Sequence, residues 1–401
     1  MNAQNASIVV ARHYTAHVPV RLEWEGEIIT RNQLLDARTT PEYWLAPGLM
    51  DVQVNGFGGV DFQAENLTEA DLTHAVHEIQ AAGCTRFLLT LITDEWSRMM
   101  AKLRHLREVR AGSARLQHAL AGWHIEGPFL SAEPGFHGAH DPALMRDPTP
   151  ELIHELRTLT EDDLVLLTLA PERPGAIEAI KLATSLGIVV SLGHTNADGD
   201  TLSQALAAGA TGFTHLGNGC PLMLDRADNI LWRAFETRGP MFSVIPDRIH
   251  VSPPLFRLIH QVLPVESLIY VTDAVAAAGA PVGRYHLGQL EIEASPDGVV
   301  RSPEHLNLAG SALRPVEAVF RAAEMLNVPW QQAWHHYSTA PAEWLGLPCS
   351  LAAGQPADFC LLKVSPAGQL EELRVFVAGE EVAQGPSHLA DCQRDEASSA
   401  A

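Results

Sequence analysis

Four widely separated residues stand in the same kind of place, at the end of a short apolar run. Glu126 follows LAGWHI, His194 follows IVVSLG, His215 ends GFTH and Asp273 follows LIYVT. Runs of this kind read as buried parallel strands, which puts all four residues at or just past strand C-termini. If those ends converge, a carboxylate and two imidazoles make a ligand set for zinc or another divalent cation, with water completing it. The remaining carboxylate, Asp273, could then take a proton from that water. Each residue also has a plainer reading. A histidine at a strand end is more often a hydrogen-bonded structural residue, Asp273 could cap the next segment, and Glu126 could pair with an arginine. Four such residues on one face nevertheless point to metal-dependent hydrolysis.

The elements that must position them repeat along the chain. Apolar strands are expected at 49–54, 85–91, 120–125, 164–170, 188–192, 212–215, 241–245 and 267–272. Amphipathic helical patterns lie between them, at 67–83, 149–159 and 175–187 among others, the first and third closing on Gly. Strands alternating with helices over roughly 250 residues suit an α/β fold, a (β/α)8 TIM-type barrel whose active site gathers at the strand C-termini. A doubly wound sheet is the rival, but no G-x-G-x-x-G opens a helix after a first strand. The two ends carry strand-like pieces instead, SIVVAR, VPVRLEWEGEIIT and TTPEYWLAP at the start, ADFCLLKV and LEELRVFVAGEEVA at the end. Neither end can bury a core alone. The expected organisation is a small β-sandwich-like domain from 1–46 plus 347–390, a catalytic barrel over 47–346, and a polar, disordered tail at 391–401.

Composition narrows the function. With 27 Lys plus Arg against 48 Asp plus Glu among 401 residues, the net charge of −21 leaves no basic footprint for nucleic acid. No run of 18 apolar residues offers a membrane span, and the start lacks the basic and apolar stretches of a secretory signal. Five scattered cysteines without a CxxC pair fit a reducing cytoplasm better than a disulfide framework or thiolate zinc site.

The motifs PGLMDVQVNGFGG (47–59), GWHIEGPFL (122–130), GAHDP (138–142), SLGHTNA (191–197), THLGNGCP (214–221), IHV (249–251), VTDAVAAAG (271–279) and LAGSAL (308–313) fall in order. Together they resemble the N-acetylglucosamine-6-phosphate deacetylase family of the amidohydrolase superfamily. The likeness runs over about 45–345, and the terminal β segments fit that family's small second domain. It implies a metal held by Glu126, His194 and His215, with Asp273 as catalytic acid/base and His250 over the sugar ring and acetamide. Gln53 and Asn55 stand where many amidohydrolases carry His-x-His, which favours one divalent metal per site. Zinc is the default, with iron, cobalt or manganese as substitutes.

On the substrate side, the resemblance assigns the sugar phosphate to Ala139, His140, Asn218 and Gly219, and a closing loop to Leu308, Ala309 and Gly310. Arg226 matches an arginine that reaches the phosphate across a homodimer interface; the plainer reading is a surface salt bridge with Asp225 or Asp228. The expected reaction releases acetate from N-acetylglucosamine 6-phosphate, leaving glucosamine 6-phosphate. An amidohydrolase for a different N-acyl amino sugar or N-acyl amino acid is the alternative. A non-catalytic sugar-phosphate binding protein would have little use for the metal ligands and Asp273 together. Three departures from the family pattern surround the expected pocket: Asn218-Gly219-Cys220 for N-A-M, Arg248 for Gly, and DRADN at 225–229 for G-R-x-P-G. Two further motifs take a structural reading. Gly56, Gly58 and Gly59 suit tight loop packing, and Trp334–Tyr337 a helix with core and surface faces.

Overall fold

The computed structural model describes residues 6–303 and 307–385; the expected tail at 391–401 lies outside them. Two compact units are formed, one from Val52–Val76 with Phe87–Arg314, the other from the two ends of the chain together with His77–Arg86.

Eight parallel strands make a barrel: β1 (Leu49–Val54), β2 (Cys84–Ile92), β3 (Leu120–Glu126), β4 (Leu164–Leu169), β5 (Val189–Leu192), β6 (Gly212–Phe213), β7 (Met241–Val244) and β8 (Leu268–Tyr270). They neighbour one another in chain order. Closure comes just past β8, where Ala274 bridges Val54 in parallel and the Asp273 amide donates to the Gln53 carbonyl at 3.0 Å. Strands covered on both faces read as unbroken apolar runs, and β1 and β4 are buried along nearly their whole length. Where polar residues interrupt the strands they are buried as well, as at Asp51 and Gln53 in β1, His124 in β3 and Thr168 in β4. The helices expected at 67–83, 149–159 and 175–187 form as Glu69–Ala81, Pro150–Thr160 and Ala176–Ser185. The second begins with Pro in its first turn, where the missing N–H costs nothing.

A three-stranded antiparallel sheet, Gly283–Leu287, Leu290–Ala294 and Val300–Arg301, follows the barrel and was not foreseen. Its inner side chains Leu287, Ile292, Ala294 and Val300 cluster with Val275, Ala277 and Ala309.

The end segments form one seven-stranded sheet, with Trp44–Pro47 at its centre between Ser7–His13 and Phe359–Val364. The stretch VPVRLEWEGEIIT folds back on itself, because Gly26 at φ +55° turns Pro19–Glu25 into an antiparallel hairpin with Ile28–Leu34. The domain is sandwich-like without being two sheets. Trp24 and Phe359 lie on strands three places apart, about 14 Å across a flat sheet. Their rings are 5.2 Å apart, so the sheet curls over a core that also holds Leu22, Leu361 and Phe376.

Candidate active site

His194, His215 and Asp273 each sit two or three residues beyond their strands, and all three have left-handed backbones, with φ of +50°, +32° and +52°. Such conformations cost about 1–2 kcal/mol for residues with a Cβ and persist where the surrounding structure enforces them, often at functional sites. Here each reversal follows a barrel strand and carries its side chain to the cluster described next.

Three atoms suited to metal ligation converge. Glu126 Oε1 lies 2.9 Å from His215 Nε2 and 3.3 Å from His194 Nε2, and the two imidazole nitrogens are 3.1 Å apart. All three side chains are buried. His194 Nδ1 donates to the Phe136 carbonyl at 2.8 Å, so the neutral ring presents a bare lone pair on Nε2 toward the cluster. Burial alone would raise the Glu126 carboxyl, but the two imidazoles hold it well below the usual range. Conversely, burial would depress His215, while the Glu126 hydrogen bond and charge raise it. One carboxylate oxygen with two imidazole nitrogens is a donor set that suits a divalent metal.

His140 comes closer to this cluster than its substrate assignment suggested. Its Nε2 is 3.9 Å from Glu126 Oε2, and Glu126, His140 and His194 also offer ligand atoms within 4.8 Å of one another. His140 Nδ1 lies 2.8 Å from the Thr93 hydroxyl and 3.4 Å from the Thr93 amide. Burial, with His194 nearby, pushes the His140 imidazole down to about 3, so the ring is neutral. Both His140 and His215 thus bring an imidazole nitrogen to the side of Glu126 and His194, His215 at the shorter distance.

Gln53 and Asn55 act as amide donors to the two carboxylates. Gln53 Nε2 donates to Glu126 Oε1 at 3.1 Å and Asn55 Nδ2 to Asp273 Oδ1 at 2.7 Å. Burial and the Glu126 charge push the Asp273 carboxyl up to about 6, against the pull of His215, His250 and Asn55. That places it where a group can both accept and return a proton near neutral pH.

His250 is held by a residue the sequence reading did not single out. Asp247, 3% exposed, accepts from the amides of Ile249 (2.8 Å) and His250 (2.7 Å) and, through Oδ2, from His250 Nδ1 at 2.6 Å. A carboxylate only accepts, so Nδ1 carries a proton; Nε2 then donates when the ring is an imidazolium. Arg248, where the family pattern has Gly, adopts φ +70° in this turn.

The other expected contacts fall into two groups. Ala139, His140, Leu308 and Ala309 line one cavity, and Gly310 (φ +66°) is packed so closely that a Cβ would come 2.9 Å from the Asp273 carbonyl. Asn218 Nδ2 donates to the His215 carbonyl at 3.3 Å, and a Cβ on Gly219 would come 2.8 Å from His194 Nδ1. Arg226 is exposed. Among the described residues no ion pair engages it: Asp228 is held by Arg233 at 2.7 Å, and Asp225 accepts from the Ala227 and Asp228 amides. Gly56 packs as expected of a tight loop, with the Val60 carbonyl 2.5 Å from where a Cβ would stand.

The chain matches no protein-family model. It is 34% identical over 352 residues to the N-acetylglucosamine-6-phosphate deacetylase of Bos taurus, covering 85% of this chain and 83% of that one. It is 32% identical over 390 residues to an N-acetylgalactosamine-6-phosphate deacetylase of a Shewanella species, covering 94% and 95%. Among solved structures, a mutant N-acetyl-D-glucosamine-6-phosphate deacetylase of Mycobacterium smegmatis, in complex with N-acetyl-D-glucosamine 6-phosphate, superposes with a TM-score of 0.84 at 31% identity, covering 94% of this chain and 99% of that one. The fold alone extends to a Klebsiella pneumoniae 5-methylcytosine deaminase, at a TM-score of 0.57 and 13% identity. This chain belongs to the N-acetylglucosamine-6-phosphate deacetylase family and is a hydrolytic enzyme.

Proposed function

We propose that the protein hydrolyses the acetamide of N-acetylglucosamine 6-phosphate to acetate and glucosamine 6-phosphate. The carrying observation is a carboxylate poised at about 6, Asp273, in the electrostatic reach of Glu126 and His215, whose ligand atoms meet at 2.9 Å. Glu126, His194 and His215 would hold one divalent metal, zinc by default. Bound there, it supplies Lewis acidity and lowers the pKa of water. Asp273 takes the proton of the attacking water and returns it to the departing nitrogen. The Asp247–His250 pair steadies the carbonyl oxygen as negative charge develops on it. Asn55 keeps Asp273 oriented, and Gln53 does the same for Glu126.

Asn218, Gly219 and Arg226 would receive the sugar phosphate, the guanidinium fork matching phosphate oxygens. An arginine so exposed serves a phosphate best from across a homodimer interface. Leu222 and Met223 on the same loop, 94% and 89% exposed, supply apolar surface for such a contact. Residues 47–346 would carry the chemistry, and 1–46 with 347–390 would make up the second, small domain. No helix among the described residues is long and apolar enough to cross a membrane, and four of the cysteines are free thiols, which supports a cytoplasmic enzyme.

Acetate release measured side by side from N-acetylglucosamine 6-phosphate, its 4-epimer and unphosphorylated N-acetylglucosamine tests this reading. Preference for the first phosphorylated sugar supports it. Preference for the unphosphorylated sugar would remove the phosphate from the account.

A further inference from the structure

The interior of a barrel of this kind is usually filled by layers of branched aliphatic side chains. One layer here is polar. His124 on β3, Thr168 on β4, Ser191 on β5 and Thr214 just past β6 are all buried. They form an unbroken chain. His124 Nε2 lies 2.7 Å from Thr168 Oγ1, Thr168 Oγ1 lies 2.8 Å from Thr214 Oγ1, and Thr214 Oγ1 lies 2.7 Å from Ser191 Oγ. Strands two places apart are separated by about 9.5 Å in a flat sheet, so the bond from β4 to the end of β6 crosses the concave interior. Gly193 leaves room for it: a Cβ there would come 2.9 Å from both Thr168 Cγ2 and Thr214 Cβ.

Three members of the chain stand just upstream of the proposed metal ligands. His124 precedes Glu126 by two residues, Ser191 precedes His194 by three, and Thr214 precedes His215 by one. Thr168 has no ligand on its own strand. It pairs in register with Glu126 on one side and Ser191 on the other, and its hydroxyl links His124 to Thr214. A buried polar group costs stability unless it is hydrogen-bonded, and an aliphatic layer would fill this space without that demand. What the polar layer adds is geometry, because hydrogen bonds fix both distance and direction where aliphatic contacts fix neither. The left-handed turn at His215 is held from the same level. Thr214 Oγ1 makes two of the bonds above, and the His215 amide donates to Ser243 Oγ at 2.7 Å. We propose that this chain is a polar floor that sets the spacing of Glu126, His194 and His215, with Thr168 as a positioning residue for the metal site. This rests on those three residues holding the metal.

The test is the dissociation constant of zinc, measured by chelator competition on the full chain, for wild type, Thr168→Val, Thr168→Ser and Ser191→Ala. Valine keeps the shape of threonine without its hydroxyl, so Thr168→Val should weaken zinc binding roughly tenfold or more, as loss of a group that orients metal ligands does. Thr168→Ser keeps the hydroxyl and should stay within about threefold of wild type, short of that loss. Ser191→Ala cuts the far end of the chain and should weaken zinc in the same direction, so the test stands even if Thr168→Val does not fold. A merely structural role would lower the urea midpoint of the metal-free variants and leave the zinc constant of the folded protein where it was. Zinc affinity unchanged in whichever of Thr168→Val and Ser191→Ala folds therefore overturns the floor. So does a Thr168→Ser that loses as much affinity as Thr168→Val. A folded wild type that binds no zinc overturns the metal-ligand reading beneath it.

Discussion

Replacing Asp247 by Asn isolates the electrostatic part of catalysis from the fold. The Asn Oδ1 can still accept the amides of Ile249 and His250, which Asp247 Oδ1 holds at 2.8 and 2.7 Å, so the turn keeps its shape. What changes is the 2.6 Å contact with His250 Nδ1. An amide NH2 in place of Oδ2 donates to Nδ1, which moves the neutral ring's proton to Nε2. Donation to the carbonyl oxygen survives, but from a neutral ring in place of an imidazolium. A hydrogen bond to a charged group is worth about 1.5–3 kcal/mol, against about 1 for a neutral one. Losing that difference, about 0.5–2 kcal/mol, in the transition state lowers kcat by roughly 2- to 30-fold. Because the interaction strengthens as charge develops on oxygen, kcat should carry the loss and KM should move little. The assay is steady-state amine release, with metal content and circular dichroism as controls. A folded, metal-loaded Asp247→Asn enzyme with unchanged kcat would refute the role given to this pair.

Asp273, pushed up to about 6 chiefly by burial and then by the Glu126 charge, must be ionised to accept a proton. A bound cation lowers it further, so the acid limb of kcat/KM should fall at or below about pH 6; a limb centred above pH 7 contradicts this. In metal-free protein the sign is reversed for stability: the native state holds this proton more tightly than the unfolded chain, so the carboxyl costs stability as pH rises from 3.8 through about 6. Asp163 behaves oppositely. Burial would raise it, but Trp123, Arg107 and Arg110, all within 2.9 Å, hold it below its ordinary value. Its contribution is present above the unfolded pKa and is lost as pH falls through the folded one. Asp163→Asn should therefore cost about 1–2 kcal/mol in urea unfolding at pH 7, and the gap to wild type should narrow as pH falls below 3.8.

The barrel and its charged rim were legible in the sequence for one physical reason. Strands covered on both faces are mainly apolar, so Glu126, His194, His215 and Asp273 stood out as ionisable groups at the ends of apolar runs. What those residues meet was less legible. The functions of Gln53 and Asn55 as donors depend on partners 73 and 218 positions away. The Asp94–Lys102 pair and the sheet at 283–301, both lining the cavity that Ala139 and His140 border, carry no local signature of that position. Asp247 did leave a trace: an aspartate three residues before a histidine, in a turn, can accept that residue's own amide. The curl of the terminal sheet is a contact between strands three places apart, which strand periodicity cannot express.

The most direct test of the account measures bound metal and turnover of N-acetylglucosamine 6-phosphate together in wild type, Asp273→Asn and His215→Ala. About one metal per chain in wild type and in Asp273→Asn, little in His215→Ala, and turnover lost in both variants is the predicted pattern. Near-normal turnover in Asp273→Asn, or full metal retention in His215→Ala, would contradict it.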